Sequence, residues 1–194
     1  MTSGCCLLYR STNYLYDGQS LLEEVDQNGN VLAWYTQSKR IDEPLSELRS
    51  GATSYYDADG LQSITSLSNS SGSLGSTYAY DTFGNITSST GAIVNPFRFT
   101  GREFDAETGI YFYRARYYDQ NVGRFISEDP LRYPDGTAFY VYVNNDPLNL
   151  FDPLAARGRI AESSWPTTST AAAKECYTPR AYRWSEQPCG VKRS

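Results

Sequence analysis

The chain has 194 residues with 17 Tyr, 15 Gly, 4 Cys and no His, and a net charge of −5. Without His, Ser-His and Cys-His nucleophiles and His-containing zinc sites are excluded within these residues, so any chemistry rests on carboxylates, Cys, Tyr, Lys or Arg. No apolar run approaches the ~18 residues of a membrane span, and the acidic excess argues against a broad basic face for nucleic acid.

The start, Cys6-Leu7-Leu8-Tyr9, is too short and lacks the basic lead of a secretory signal. A repeated unit follows. Tyr14-Leu15-Tyr16-Asp17-Gly18 opens it, Asp26-Gln27-Asn28-Gly29 gives the turn alone, and Tyr55-Tyr56-Asp57-Ala58-Asp59-Gly60 restores the aromatic lead. Asn69-Ser70-Ser71-Gly72 and Tyr78-Ala79-Tyr80-Asp81-Thr82-Phe83-Gly84 complete the series. Alternating tyrosines share one face of a strand. The Asp accepts hydrogen bonds from amides ahead of it, and the Gly three residues on supplies the positive φ that closes a turn. Each unit therefore predicts strand, D-x-x-G turn, strand, and several such hairpins must join into a larger sheet to be stable. Asp57 and Asp59 lack the bidentate Glu of a calcium loop, so no metal is expected there.

From residue 95 the aromatics become denser. Ile110 to Tyr118 predicts one strand, Asp119-Gln120-Asn121-Val122-Gly123 a turn, and Phe139-Tyr140-Val141-Tyr142-Val143 another strand. No long amphipathic helix precedes residue 155, and the chain reads as all-β. Residues 1–154 carry 19 acidic against 10 basic residues, and residues 155–194 carry 3 against 7, which places a boundary near residue 155. The tail, with Ser163-Ser164-Trp165-Pro166 and Ala171-Ala172-Ala173, reads as linker and weakly ordered segment, with a small basic toxin as the alternative. Cys5 and Cys6 are adjacent, while Cys176 and Cys189 would pair only in an oxidising compartment.

These motifs resemble the YD repeats of Rhs proteins. Phe99-Thr100-Gly101, Asp105-Ala106-Glu107-Thr108-Gly109-Ile110-Tyr111, Arg116-Tyr117-Tyr118-Asp119, Gly123-Arg124-Phe125-Ile126-Ser127-Glu128-Asp129-Pro130 and Asn144-Asn145-Asp146-Pro147-Leu148-Asn149 are similar to the Rhs repeat-associated core. The resemblance, which covers roughly residues 14–154, implies a hairpin segment (1–94), a core domain (95–156) and a variable tail (157–194). It further implies stacked hairpins that form the end of a spiralling β-shell, as in the related C subunits of bacterial toxin complexes. Such a shell encloses a C-terminal toxin, and the core cuts the chain after a final Asp-Pro-x-Gly-Leu motif. Extracellular or cell-surface delivery follows from the same resemblance.

For self-cleavage the resemblance singles out Asp129-Pro130 and Asp152-Pro153. An aspartyl-type pair needs one ionised carboxylate to activate water and one protonated carboxyl to polarise the carbonyl. Asp129 matches the first member, and Asp152 is either the second member or part of the scissile loop. Arg116 or Arg124 would stabilise the oxyanion or position a carboxylate. The candidate set is Asp129, Asp152 and Arg124, with the cut between Ala156 and Arg157. Arg132 and Ala155 stand where the family has Gly, and Ala156 where it has Leu. No cofactor is expected. The expected partners are the remainder of a longer shell or its enclosed toxin, with cell-surface carbohydrate or protein if the chain is instead a non-catalytic binding module. A non-functional fragment of a longer protein is the third class.

Overall fold

Eight strands in chain order build one antiparallel sheet: β1 (Thr12–Asp17), β2 (Ser20–Asp26), β3 (Val31–Gln37), β4 (Pro44–Arg49), β5 (Ala52–Ala58), β6 (Ile64–Asn69), β7 (Leu74–Tyr80) and β8 (Ile86–Gly91). A second sheet follows from β9 (Glu103–Asp105), β10 (Ile110–Tyr113), β11 (Arg116–Asp119) and β12 (Arg124–Phe125), in the order β12-β11-β10-β9. A short pair, β13 (Leu150–Phe151) and β14 (Ile160–Ala161), ends the described chain. The structure is a computed structural model that describes residues 11–130, 139–155 and the backbone of 160–161. Arg132, Ala156, Arg157, the four cysteines and nearly all of the tail lie outside the described residues. The all-β expectation holds, and every strand pairing is antiparallel.

One turn geometry joins β2–β3, β5–β6, β6–β7 and β7–β8. At Asp81 the carboxylate Oδ1 accepts from the Phe83 and Asn85 amides, both at 2.9 Å, and Gly84 N donates to Asp81 O at 3.1 Å. Asp26 and Asn69 repeat the pattern with Gly29 and Gly72 at positive φ. The β5–β6 turn departs from the expected register. Its acceptor is Asp59 rather than Asp57, and Gln62, at φ +67, occupies the slot that glycine fills elsewhere. Asp57 instead accepts from the Ser66 hydroxyl at 2.9 Å.

Two other expectations fail for one reason. Residues 110–118 are not a single strand, because the chain reverses at Arg114 (φ +64) between β10 and β11. Five residues separate Tyr113 and Tyr118, which would put them on opposite faces of one strand. The reversal brings both rings into one core, 5.5 Å apart. Residues 139–143 likewise form no strand. A lone bridge joins Val141 to Arg124, and the chain then enters a 3₁₀ turn at Val143–Asn145 with three successive positive φ values. That path buries Tyr142 completely, 4.6 Å from Tyr118. In both places burial of a large ring outweighs local strand preference.

In the first sheet β3 buries alternate residues. Ala33 and Tyr35 are buried while Leu32 and Trp34 are exposed, and Phe97 sits edge-on to Tyr35 and Tyr56 at 5.4 and 5.7 Å. A second cluster gathers Phe99, Tyr111, Tyr113, Tyr118, Phe125, Tyr142, Val143 and Ala155. Buried tyrosine hydroxyls need partners. Tyr118 donates to Phe83 O at 2.9 Å, Tyr111 to Gly84 O at 3.1 Å, and Tyr80 to Ile64 O at 2.8 Å. The first two bonds tie the second cluster to the Asp81 turn, and the third reaches β6. Beside the first cluster, Arg49 lies 2.9 Å from Glu24 and 3.9 Å from Glu47, and Tyr35 donates to Glu24 at 2.6 Å. Burial pushes the Glu47 carboxyl up to about 6, with Arg49 and the Tyr56 hydroxyl pulling the other way.

Two predictions follow from these turns and charges. An alanine Cβ at Gly84 would meet the Phe99 ring at 2.5 Å, whereas at Gly72 it would meet nothing within 4 Å. Both positions have positive φ, so Gly72→Ala is expected to cost about 1 kcal/mol and Gly84→Ala about 2–4 kcal/mol, read from urea midpoints. For Glu47, the folded chain holds the proton more tightly than the unfolded chain. Its contribution is therefore fully present below the ordinary carboxylate value and declines as pH rises through about 6. Between about pH 4 and pH 7, wild type should lose on the order of 2 kcal/mol relative to Glu47→Gln.

Candidate active site

The second sheet directs one arginine inward. Arg116 and Tyr118 alternate along β11 on the buried side, while Tyr117 between them is exposed. The same alternation turns Phe125 inward on β12 and leaves its neighbour Arg124 exposed. Arg116 lies in a crowded aromatic wall, with its guanidinium 3.6 Å above the Phe125 ring, a cation–π arrangement.

Asp129 and Asp152 meet at this guanidinium. Arg116 Nη2 lies 3.0 Å from Asp129 Oδ2 and 3.6 Å from Asp152 Oδ2, and all three side chains are at most 10 % exposed. Arg116 also donates through Nε to Ala155 O at 2.6 Å and through Nη1 to Phe139 O at 3.1 Å. Asp129 is fixed through its backbone, its amide donating to Phe139 O at 2.9 Å. Asp152 organises the chain after it, because its Oδ1 accepts from the Leu154 amide at 3.2 Å and the Ala155 amide at 2.9 Å.

The charge balance is uneven. Two carboxylates share one cation in a buried site, so the trio carries a negative charge when both are ionised and none when one is protonated. Burial raises the Asp152 carboxyl above its ordinary value; Arg116 and the two amides lower it, and the neighbouring Asp129 raises it further. A carboxyl whose protonated form burial favours, beside one held against a guanidinium, is the kind of asymmetry that acid–base work requires. Ala155 completes the site. It is fully buried at φ +48, a conformation that suits glycine, where a Cβ costs about 1–2 kcal/mol.

Of the sequence-derived set, Asp129 and Asp152 come together. Arg124 does not join them, and Arg116, the other arginine considered, takes that place. The period-2 pattern carried the signal. With Phe125 in the core its neighbour Arg124 must face outward, whereas Arg116 shares a face with Tyr118. Ala156 and Arg157, the expected cut, lie outside the described residues. Among the described residues, no group of three or more His, Cys, Asp or Glu is placed to hold a metal ion, and no helix is long and apolar enough to cross a membrane.

An antiparallel wall of Asp-turn hairpins, joined to an aromatic core whose arginine gathers two Asp-Pro carboxylates, defines a YD-shell segment. Residues 44–148 match the Teneurin YD-shell, and the chain belongs to that family. It is 36% identical over 151 residues to the tRNA3(Ser)-specific nuclease WapA of Bacillus spizizenii, and 36% identical over 152 residues to the tRNA nuclease WapA of Bacillus subtilis strain 168. Each match covers 73% of this chain, which spans only 6% of the length of those relatives. The crystal structure of TcdB2-TccC3 has the same fold, with a TM-score of 0.57 at 22% identity over 75% of this chain and 7% of that one. These similarities bear out the resemblance drawn from the motifs.

Removing the shared cation tests the electrostatics. Arg116→Gln should destabilise the chain by about 3–5 kcal/mol near pH 7, because two buried carboxylates lose their counter-charge. The deficit should narrow at acidic pH as the raised Asp152 carboxyl takes up its proton, a comparison that urea midpoints at neutral and acidic pH provide.

Proposed function

We propose that this chain is the C-terminal core segment of an Rhs-type polymorphic toxin protein, contributing wall to a toxin-enclosing β-shell and cutting its own backbone between Ala156 and Arg157. The observation that carries the reading is the convergence of Asp129 and Asp152 on Arg116, beside the backbone that leads to the expected cut. The nuclease titles of the WapA relatives support a toxin-bearing parent protein.

The chemistry needs no cofactor. Asp129, held against Arg116, removes a proton from a water molecule, whose oxygen adds to the Ala156 carbonyl carbon. Asp152, in the protonated form that burial favours, donates to the carbonyl oxygen as it gains charge. Collapse of the tetrahedral intermediate breaks the C–N bond, the Arg157 nitrogen takes up the proton that Asp129 removed, and one hydroxyl of the intermediate returns its proton to Asp152 as the carbonyl re-forms. Products are a carboxyl at Ala156 and an amine at Arg157. Arg116 binds the backbone at Ala155 O and so aligns the chain one residue before the cut.

A second reading has its own support. Arg116 bonds Phe139 O and Ala155 O as well as the carboxylates, so the cluster also works as a non-catalytic lock on the end of the core. Mass spectrometry of the purified full chain separates the two readings. Self-cleavage gives fragments 1–156 and 157–194 and is abolished by Asp129→Asn, whereas an intact chain after long incubation means a lock. If the chain cuts, the raised Asp152 carboxyl should make the rate climb as pH falls from neutral into the acidic range. Ala155→Gly, which relieves the positive-φ strain, should accelerate the cut at least tenfold.

A further inference from the structure

A second buried charge cluster also touches the segment 152–155, and it links that segment to the repeat sheet. Arg114, in the β10–β11 turn, donates through Nη1 to Pro153 O and, at 3.2 Å, to Asp42 Oδ2. Its Nη2 donates to Asp42 Oδ1 at 2.7 Å and to Gln19 O at 3.1 Å. Asp42 lies in the β3–β4 connection, 72 residues before Arg114, with its side chain 2 % exposed. The same carboxylate pairs with Arg102, whose Nη2 donates to Phe112 O at 2.6 Å. One carboxylate here serves two guanidinium groups, the inverse of the Arg116 trio.

The backbone around Asp42 is itself seated. Asp42 holds φ +61, and Gly101 packs so close that a Cβ there would meet Asp42 O at 2.2 Å. The Gln62 side chain, oriented by hydrogen bonding, donates to Ile41 O at 3.2 Å and Asp42 O at 2.9 Å. That contact accounts for Gln62 in a turn slot where the neighbouring hairpins have glycine. The residue accepts an unfavourable φ of +67 and gains two hydrogen bonds to the Asp42 loop.

We propose that Asp42 and Arg114 are positioning residues, a relay by which the repeat sheet docks the Pro153 carbonyl, so that the chain near the cut is held only once hairpins β2–β6 have formed. Arg116 and Asp152 act on the segment from the core side. Arg114 and Asp42 act from the repeat side, and the carbonyl between them is fixed by both. The docking stands on these contacts alone; its part in cutting rests on the autoproteolytic reading above.

Hydrogen–deuterium exchange of the full chain, followed by mass spectrometry of the same samples, tests both parts. In Arg114→Gln, the Leu154 and Ala155 amides should exchange at least tenfold faster, while the Asp26-turn and Asp81-turn amides keep wild-type rates. Arg114→Lys, which keeps the charge near Asp42 without reaching three acceptors at once, should fall between. Because a buried-charge variant risks wider unfolding, Gln62→Ala provides the milder lesion and should speed the same two amides about threefold. Unchanged exchange at residues 154–155 in both Arg114→Gln and Gln62→Ala overturns the docking, and so does acceleration spread evenly over the chain in Gln62→Ala. In a wild-type chain that cuts, Arg114→Gln should slow release of residues 157–194 at least tenfold, and an unchanged rate with accelerated exchange overturns the positioning role. A wild-type chain that never cuts overturns the autoproteolytic reading and leaves the exchange rates to decide the docking.

Discussion

A guanidinium group taken out of water must be matched by carboxylates and carbonyl oxygens, and the described residues organise around that requirement three times. Arg49 serves Glu24 and Glu47 within the first sheet, Arg102 and Arg114 share Asp42, and Arg116 serves Asp129 and Asp152. Such clusters add little net stability over an apolar equivalent, since desolvation offsets most of the attraction. What they supply is address. Each arginine reaches acceptors on segments far apart in sequence, so only one arrangement of those segments satisfies it. The fixed positions of the 152–155 backbone and of the Asp42 loop follow from that demand.

The aromatic core works alongside these charges. Phenylalanine and tyrosine rings of both sheets pack edge-to-face at 5–6 Å, a geometry that suits their quadrupoles. Each buried tyrosine also carries a hydroxyl that must find an acceptor. Tyr80, Tyr111 and Tyr118 find theirs on turn and strand carbonyls of the repeat sheet. The high tyrosine content is thus a joining device as well as a packing one, since phenylalanine would fill the same space without specifying which carbonyl lies beside it.

The two carboxylate clusters near the end of the core differ in how their groups are paired. At Arg116 two carboxylates meet one guanidinium, and burial raises the Asp152 carboxyl above its ordinary value. At Asp42 one carboxylate pairs with two guanidinium groups, Glu103 adds a second acidic neighbour to both, and the remaining donors reach carbonyl oxygens, among them Pro153 O. The backbone from 152 to 155 runs between these two clusters and is hydrogen-bonded by both. A structural lock and a self-cutting site need the same placement. They differ in whether water reaches the chain beyond Ala155, and in whether Ala155 at φ +48 is tolerated by the chemistry as it is by the fold.

Local signals were legible where a turn or strand is decided by its own residues. The Asp26, Asn69 and Asp81 turns follow from an acceptor side chain and a glycine three positions on, and the all-β class follows from aromatic alternation. The pairing of Asp129 with Asp152 came from family motifs rather than from spacing. Where two local solutions were close in energy, the sequence left the choice open. Asp57 and Asp59 each offer a turn acceptor, and Asp59 is used because Gln62 then reaches the Asp42 loop. The reversal at Arg114 and the loss of strand at 139–143 needed the rest of the core, because burying Tyr113, Tyr118 and Tyr142 together is worth more than continuing a strand. The sequence by itself determined the kinds of element and the residues able to carry chemistry. Only the tertiary structure decided that Arg116 rather than Arg124 meets the carboxylates, and that Asp42 reaches Pro153 through Arg114. Which charges share a buried space depends on contacts between separate segments of the chain, up to 72 residues apart, and no local pattern encodes them.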